Sequence, residues 1–332
     1  MNEKVRWGTL GCARVFERRM TAGFLAASEC AELIAIASRS EEKAKAAAEK
    51  YHIPRAYGSY EALLEDPDIE AVYIPLPNDL HAEWTLRAIA AGKHILCDKP
   101  LALTLEDAHR MADAAKAAGV RLMEGFMWRH HPQHRRVKEI VQSGEIGAVT
   151  HFRGVFGYPA AFDPKNIRFN PEHGGGSLWD VAVYPVNAAR YFMESEPHAV
   201  YASAKWDEAT GVDYHISALL EFNGSRTAYI DSGFDTVFTS RYEIVGDTGV
   251  VAAERAFQVG EAGVTLTIRV GDNVRTEFFP HMDQYGLEIR DFCHAVRNPE
   301  LSLAPGEDGV AQTRVMTTLA RSAKEKHRIS LE

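Results

Sequence analysis

The chain has 332 residues, 25% charged and 46% hydrophobic, with 37 basic against 46 acidic side chains and a formal charge of -9. That average composition, over a length sufficient for two ordinary domains, excludes disordered and collagen-like classes. The acidic balance without a dense Lys/Arg stripe argues against a nucleic-acid surface, and no apolar run approaches the roughly 18 residues of a membrane span.

The first apolar run, Val5 to Leu10, predicts a strand, Gly11 a turn, and Ala13 to Ala27 a helix. Read against G-x-G-x-x-G, Gly11-Cys12-Ala13-Arg14-Val15-Phe16 keeps only the first glycine. The physical needs are looser than the pattern: a buried strand, a tight turn, and a helix whose free N–H groups face a pyrophosphate. Gly11, Ala13 and Arg14 are therefore candidate cofactor-binding residues; the competing reading is an ordinary strand-to-helix loop.

Further strands are predicted at 32–38, 71–76, 94–98 and 121–126, with amphipathic helices at 40–52, 79–92 and 104–119. Asp79 and Thr104 suit helix N-caps, and Gly92 and Gly119 suit C-terminal caps. Strand and helix in alternation imply a doubly wound parallel α/β sheet, in which ligands bind beyond the carboxyl ends of the strands. After the second strand comes Ser38-Arg39-Ser40, where an NAD site would present an acid to the adenosine ribose. A guanidinium with hydroxyls favours a 2′-phosphate instead, hence NADP, with NAD possible. Pro77, Asn78 and His81 follow the next strand, and Cys97-Asp98-Lys99-Pro100 the one after. A lysine at a buried strand tip answers no need of local packing.

The basic run "RHHPQHRRVK" at 129–138 reads as a solvated helix face. From about residue 147 the texture changes to β-branched and aromatic runs, at 148–158, 199–207, 215–224, 226–234, 241–249 and 264–272. Turn signals such as Asn223-Gly224 and Gly246-Asp247-Thr248-Gly249 between them predict a large open, mainly antiparallel sheet. Helices are expected at 175–194, 285–298 and about 305–326. The predicted division is a dinucleotide-binding domain at 1–124 and a substrate-binding and oligomerisation domain at 125–332. Gly174-Gly175-Gly176 before a helix would let backbone approach a ligand closely, and Asp180 and Tyr184, four apart, would share a helix face. Cys12, Cys30, Cys97 and Cys293 form no C-x-x-C pair and read as reduced thiols of a cytoplasmic protein. The scattered histidines suggest no metal site.

At this point the chain resembles the Gfo/Idh/MocA oxidoreductase family. The resemblance rests on the N-terminal turn, the P-N-x-x-H segment at Pro77 to His81, the C-[ED]-K-P segment at Cys97 to Pro100, and G-G-G-x-x-x-D ending at Asp180. It implies that Lys99 is the active-site lysine, with Asp98 where the family usually has Glu. Tyr184 stands where many members have His, which is similar to the branch of glucose-fructose oxidoreductase, D-xylose dehydrogenase and dimeric dihydrodiol dehydrogenase. The segment at 125–133 resembles that branch as well. The implied activity is NADP-dependent oxidoreduction of a CH–OH group in a sugar, polyol or cyclic diol. A phenol with a pKa of about 10 is a weak base near neutrality. A nearby Lys99 ammonium would favour the phenolate of Tyr184; alternatively Lys99 donates the proton and Tyr184 assists. Asp180 would hold a substrate hydroxyl or orient the pair. Trp128, Arg129, Tyr158, Phe169 and Trp179 are candidate pocket residues, because sugars combine aromatic stacking with hydroxyl hydrogen bonds. The implied assembly is a homo-oligomer, dimer or tetramer, built on the second-domain sheet. Two other readings are a non-catalytic NADP-binding regulator and an NAD-dependent glycoside hydrolase of the same family; retention of Lys99, Asp180 and Tyr184 together argues against the first.

Overall fold

The structure, a computed structural model, describes residues 3–301 and 303–331. The chain opens with β1 (Val5–Leu10), a π-helical turn at Phe16–Met20 and α1 (Thr21–Ala26). Then come β2 (Ala31–Ala37), α2 (Glu41–Tyr51), β3 (Arg55–Tyr57) and α3 (Tyr60–Leu64). β4 (Ala71–Ile74), α4 (His81–Ala90), β5 (His94–Asp98), α5 (Leu105–Ala118) and β6 (Leu122–Gly125) complete the alternating half. Next are α6 (Pro132–Gln142), β7 (Val149–Gly157) and, after a second π-helical turn at Leu178–Ala182, α7 (Val183–Met193). A run of strands follows: β8 (Ala199–Trp206), β9 (Asp213–Phe222), β10 (Arg226–Gly233) and β11 (Thr239–Gly246). It continues with β12 (Gly249–Glu254), β13 (Val264–Val270) and β14 (Asn273–Phe279). α8 (Gln284–Arg297), α9 (Gly306–Glu325) and β15 (Ile329–Ser330) end the chain.

Two compact units result. The first contains the residues up to Met127 together with Asp283–Val310; the second contains Trp128–Met282 and the residues from Ala311 onward. The sequence-based division at 124/125 left 283–310 with the second half, whereas α8 packs on α1. The reason is apolar: Trp7 of β1 meets Phe24 of α1 and Phe292 of α8, with ring centroids 5.4 and 5.1 Å apart.

In the first unit all six strands are parallel, in the order β3-β2-β1-β4-β5-β6. The order reverses between β1 and β4, which opens a crevice at their carboxyl ends. Thr104 caps α5 by accepting from the Asp107 amide at 3.1 Å, as expected. Asp79 does not cap α4: a 3₁₀ turn at Asn78–Leu80 intervenes, and Leu80 takes the N-cap position without a side-chain bond. β3 and α3 escaped the sequence reading because segments of three and five residues are too short to show a period.

The second unit is built on one nine-stranded sheet, β14-β13-β12-β11-β7-β10-β9-β8-β15. Its pairs are antiparallel except β7 with β10. α7 packs on β7. The opposite face carries a row in register, Tyr201, Leu219, Tyr229, Arg153, Glu243, Ala252, Thr267 and Thr276. On it Tyr201 and Tyr229 are 42% and 50% exposed, large values for aromatic side chains.

Candidate active site

In the first unit the turn after β1 is built as a phosphate cradle requires. The Gly11 amide donates to the Ala37 carbonyl at 2.8 Å, tying the turn to the end of β2. Gly11 has a φ of +108°, a backbone conformation that favours glycine, and a Cβ there would meet Leu76 Cδ2 at 3.1 Å. Ala13 is half-buried and Arg14 exposed at the start of the helix. Arg39 is exposed just beyond β2 and forms no ion pair among the described residues. Its guanidinium does reach the Tyr60 hydroxyl, whose pKa burial raises and Arg39 pulls back. That hydroxyl lies 3.7 Å from the position a Gly11 Cβ would take. Ser38 is buried and accepts from the Ser40 amide at 3.3 Å. A bound dinucleotide phosphate would thus find helix N–H groups, a glycine turn and an exposed guanidinium together.

The loop after β5 is pinned from two sides. His81, fully buried at the start of α4, faces the Pro100 carbonyl with Nδ1 at 2.7 Å and the Leu76 carbonyl with Nε2 at 2.8 Å. Burial pushes its pKa down against the pull of those carbonyls. His81 therefore holds the loop rather than a ligand, which corrects its expected place among residues touching cofactor. The buried Glu124 accepts from the Leu101 amide at 2.9 Å. Lys99 is half-buried between these anchors, and its amide donates to the Asp98 carboxylate at 3.1 Å. Pro77 and Asn78 are half-buried where β4 ends.

In the second unit the candidate residues Asp180 and Tyr184 lie on the π-helical turn and the first turn of α7. Asp180 Oδ2 accepts from the Tyr158 hydroxyl at 2.6 Å and from Arg168 Nε at 2.7 Å. Burial and the Asp180 charge push the Tyr158 pKa far up, so it remains a donor, while Asp180 raises that of Arg168. Tyr184 is 7% exposed, its ring edge-on to Phe156 at 5.1 Å and tilted against Phe257 at 5.8 Å. The Val183 amide reaches back to the Leu178 carbonyl, five residues, so Asp180 and Tyr184 do not stack as in a regular α-helix.

Two partners were invisible to sequence reasoning. Arg168 comes from the 3₁₀ turn Ile167–Phe169. Asp213, 6% exposed at the start of β9, accepts from the Ser177 hydroxyl at 2.7 Å and the Leu178 amide at 2.6 Å. Burial raises its pKa to about 6. It binds the start of the helical segment that carries Asp180 and Tyr184 from a distant strand, a relation with no local signature. The glycines have the same explanation: a Cβ on Gly175 would meet the Arg168 and Asn170 carbonyls at 2.7 Å, and one on Gly176 would meet Asp213 Oδ1 at 2.0 Å. Their close approach is to this chain's own backbone and carboxylate, not to a ligand.

Three pocket expectations change likewise. Trp128 is fully buried, edge-on to His134, Tyr191 and Phe257 at 4.8, 5.6 and 5.8 Å, and belongs to the core. Phe169, 3% exposed, packs against Tyr214 and Phe234. Arg129 donates through Nε to Asn187 at 2.8 Å and lies over the Tyr191 ring, anchoring α7. Trp179 is half-buried. Only part of the basic run is solvated: Arg135 is exposed, whereas His130, His131, Gln133 and His134 are buried. His134 Nδ1 lies 2.7 Å from the Tyr242 hydroxyl and Nε2 lies 2.8 Å from the Ala256 carbonyl, which one neutral tautomer satisfies. Burial lowers the pKa of His134 to about 3 and that of His131 to about 4.

Comparison with known proteins gives a consistent result. The profile described as "Oxidoreductase family, NAD-binding Rossmann fold" matches residues 5–126, and "GFO/IDH/MocA C-terminal domain" matches 134–252. The chain is 38% identical to D-xylose 1-dehydrogenase (NADP(+)) 2 of Haloferax volcanii over 98% of this chain and 99% of that protein. A 3-ketoreductase from Actinomadura kijaniata, solved with NADP and TDP-benzene, superposes with a TM-score of 0.88 at 35% identity, covering 96% of this chain and 98% of that one. Aldose-aldose oxidoreductase from Caulobacter crescentus, complexed with glycerol, gives 0.91 at 30% identity, covering 99% and 100%.

Proposed function

Because the chain belongs to the GFO/IDH/MocA oxidoreductase family, we propose a division of labour for its chemistry. The protein is an NADP-dependent oxidoreductase acting on a sugar or related carbinol. When bound, the nicotinamide supplies or accepts a hydride at C4. Everything else falls to the chain. The nucleotide is held by the first unit: Gly11, Ala13 and Arg14 take the pyrophosphate, and Ser38 and Arg39 the ribose phosphate. Pro77 and Asn78 border the ring, with His81 acting only through the loop it anchors. The single observation that carries this reading is Arg39, an exposed guanidinium without a carboxylate partner among the described residues, beside a turn whose positive φ favours glycine.

The proton at the substrate oxygen is assigned to Tyr184, with the Lys99 ammonium favouring the phenolate electrostatically. Asp180, held by the Arg168 and Tyr158 donors, accepts from a neighbouring substrate hydroxyl, so that its two donors also fix the hydroxyl's position. Trp179 supplies an apolar wall. We place the protein in the cytoplasm on its four free thiols. We read it as a homo-oligomer through the sheet face bearing Tyr201 and Tyr229, two exposed aromatic side chains that a second copy would cover.

The test is the near-ultraviolet absorbance of the reduced cofactor, followed with NADP and with NAD against aldoses, polyols and trans-diols. Substrate-dependent reduction with a preference for NADP is expected. Reduction with NAD alone would remove the role of Arg39. Silence with every compound, while NADP binds, would remove the proton-transfer assignment.

A further inference from the structure

A buried polar cluster lies against α7 in the second unit. At its centre is Gln312 of α9, 1% exposed. Its Nε2 donates to the Val183 carbonyl at 3.0 Å, while its Oε1 accepts from Asn187 Nδ2 at 3.3 Å and from Arg190 Nη1 at 2.9 Å. Val183, Asn187 and Arg190 form one stripe along α7, so a single side chain holds three successive positions of that face. The amide has one orientation open to it. A guanidinium only donates and a carbonyl only accepts, so the oxygen must face Arg190 and the nitrogen Val183. The partners are fixed in turn: Arg190 pairs with Glu196 through Nε at 2.7 Å and Nη2 at 2.8 Å, and Asn187 Oδ1 accepts from Arg129 Nε at 2.8 Å.

We propose that Gln312 is a positioning residue for Tyr184: its grip on the Val183 carbonyl and on Asn187 fixes the rotation and height of the first turn of α7, and with them the place where the phenol meets the substrate oxygen. The inference rests on the assignment of the proton to Tyr184. Val183 immediately precedes Tyr184 and Asn187 lies one turn beyond it, so the held groups bracket it along the helix.

The first turn of α7 needs such a hold. It follows directly on the π-helical turn, where the Val183 amide reaches back to the Leu178 carbonyl, so the hydrogen-bond ladder changes its spacing here. Moving that change past Tyr184 would turn its side chain by about 100° around the helix axis. The Gln312 bond to Val183 opposes the move. The contacts of the Tyr184 ring with Phe156 and Phe257 are non-directional, whereas the bonds from Gln312 have a set length and angle. A polar cluster in a core gains little stability over well-packed apolar side chains; what it supplies is a defined arrangement.

The experiment compares full-length wild type, Gln312→Leu, Gln312→Glu and Tyr184→Phe, with NADP and the sugar or polyol that wild type turns over fastest. Gln312→Leu removes all three bonds. Gln312→Glu puts a carboxylate beside Arg190 that still accepts from Asn187 and Arg190 but has no donor for Val183. Both should lower kcat by roughly 10- to 100-fold, the cost of about 1 Å of misplacement, while KM for NADP and for substrate changes by less than about twofold. The solvent deuterium isotope effect on kcat should rise in both, because a badly placed phenol makes proton transfer slow. An unfolded fraction of enzyme cannot produce that rise. Wild-type kcat in Gln312→Glu overturns the proposal, as does a lowered kcat with an unchanged isotope effect, which marks a structural role alone. Where Gln312→Leu folds poorly, Gln312→Glu decides, since it keeps two of the three bonds. Full activity in Tyr184→Phe removes the proton assignment and the inference with it; an inactive Tyr184→Phe beside wild-type behaviour in Gln312→Glu removes the inference alone.

Discussion

In the first unit the candidate groups sit on loops at strand tips, where their backbone amides are tied down: the Gly11 amide to the Ala37 carbonyl, the Lys99 amide to the Asp98 carboxylate, the Leu101 amide to the Glu124 carboxylate. In the second they sit on one helix, where side chains from remote segments place them: Tyr158 and Arg168 on Asp180, and Asp213 beneath the helix start. A strand-tip site follows from the topology of a doubly wound sheet and tolerates variation in its loops. A site assembled by buried charged groups depends on each of them and on the pH at which they ionise.

The largest effect that sharpens this contrast is catalytic. Lys99→Ala and Tyr184→Phe should each lower kcat/KM by roughly 10²- to 10⁴-fold with the fold intact, the range of positioned acid–base groups. A variant of either that retains full activity in steady-state assays breaks the assignment. Additive losses in the double variant would separate the two roles, whereas a double loss no larger than either single one marks a shared proton.

Acid comes next. Above pH 6.5 the folded and unfolded chains both hold His131 and His134 neutral. As pH falls, the unfolded chain takes up protons that the folded one refuses until about pH 4 and about 3. Stability is therefore lost on acidification, by about 6 kcal/mol from the pair by pH 4. Asp213 acts oppositely: its folded pKa of about 6 lies above the unfolded value of 3.8, so its penalty is present above pH 6 and vanishes as pH falls to 4. It returns about 2 kcal/mol, leaving a net loss of about 4 kcal/mol from these three groups. Urea unfolding at pH 7.5, 5.5 and 4, followed by tryptophan fluorescence, should show a falling midpoint; a rising one refutes the histidine account.

Smaller effects separate the two sites by ligand. Arg39→Ala should cost about 2 kcal/mol of NADP binding, roughly 30-fold in KM, and leave NAD unchanged. Equal losses with both nucleotides would make Arg39 a general phosphate contact. Tyr158→Phe removes one of two donors to Asp180 and should raise the substrate KM by about fivefold, about 1 kcal/mol, without moving the nucleotide KM.

The same contrast explains what could be read in advance. Gly11, Arg39 and Lys99 were legible because alternation fixes the strand ends and the strand ends fix the crevice. Asp180 and Tyr184 were legible only as a pair on a helix, and the π-helical turn changed their relation. Arg168 and Asp213 were not, since each lies in a different turn or strand and nothing local distinguishes it. Trp128 and Phe169 were misplaced because an aromatic residue carries the same letter whether it lines a pocket or fills a core. Burial decides that, and burial is a property of the whole unit.

The return of residues 283–310 to the first unit bears on how the protein is made. The face of β1 bearing Trp7 is closed by Phe292, which is synthesised long after it. Until then the nascent sheet displays an apolar strip that α8 later covers. Synthesis thus leaves β1 waiting on α8, and a fragment ending near residue 127 should expose Trp7 and Phe24 where Phe292 would cover them. Grafting α8 onto such a fragment through a short linker is the obvious repair.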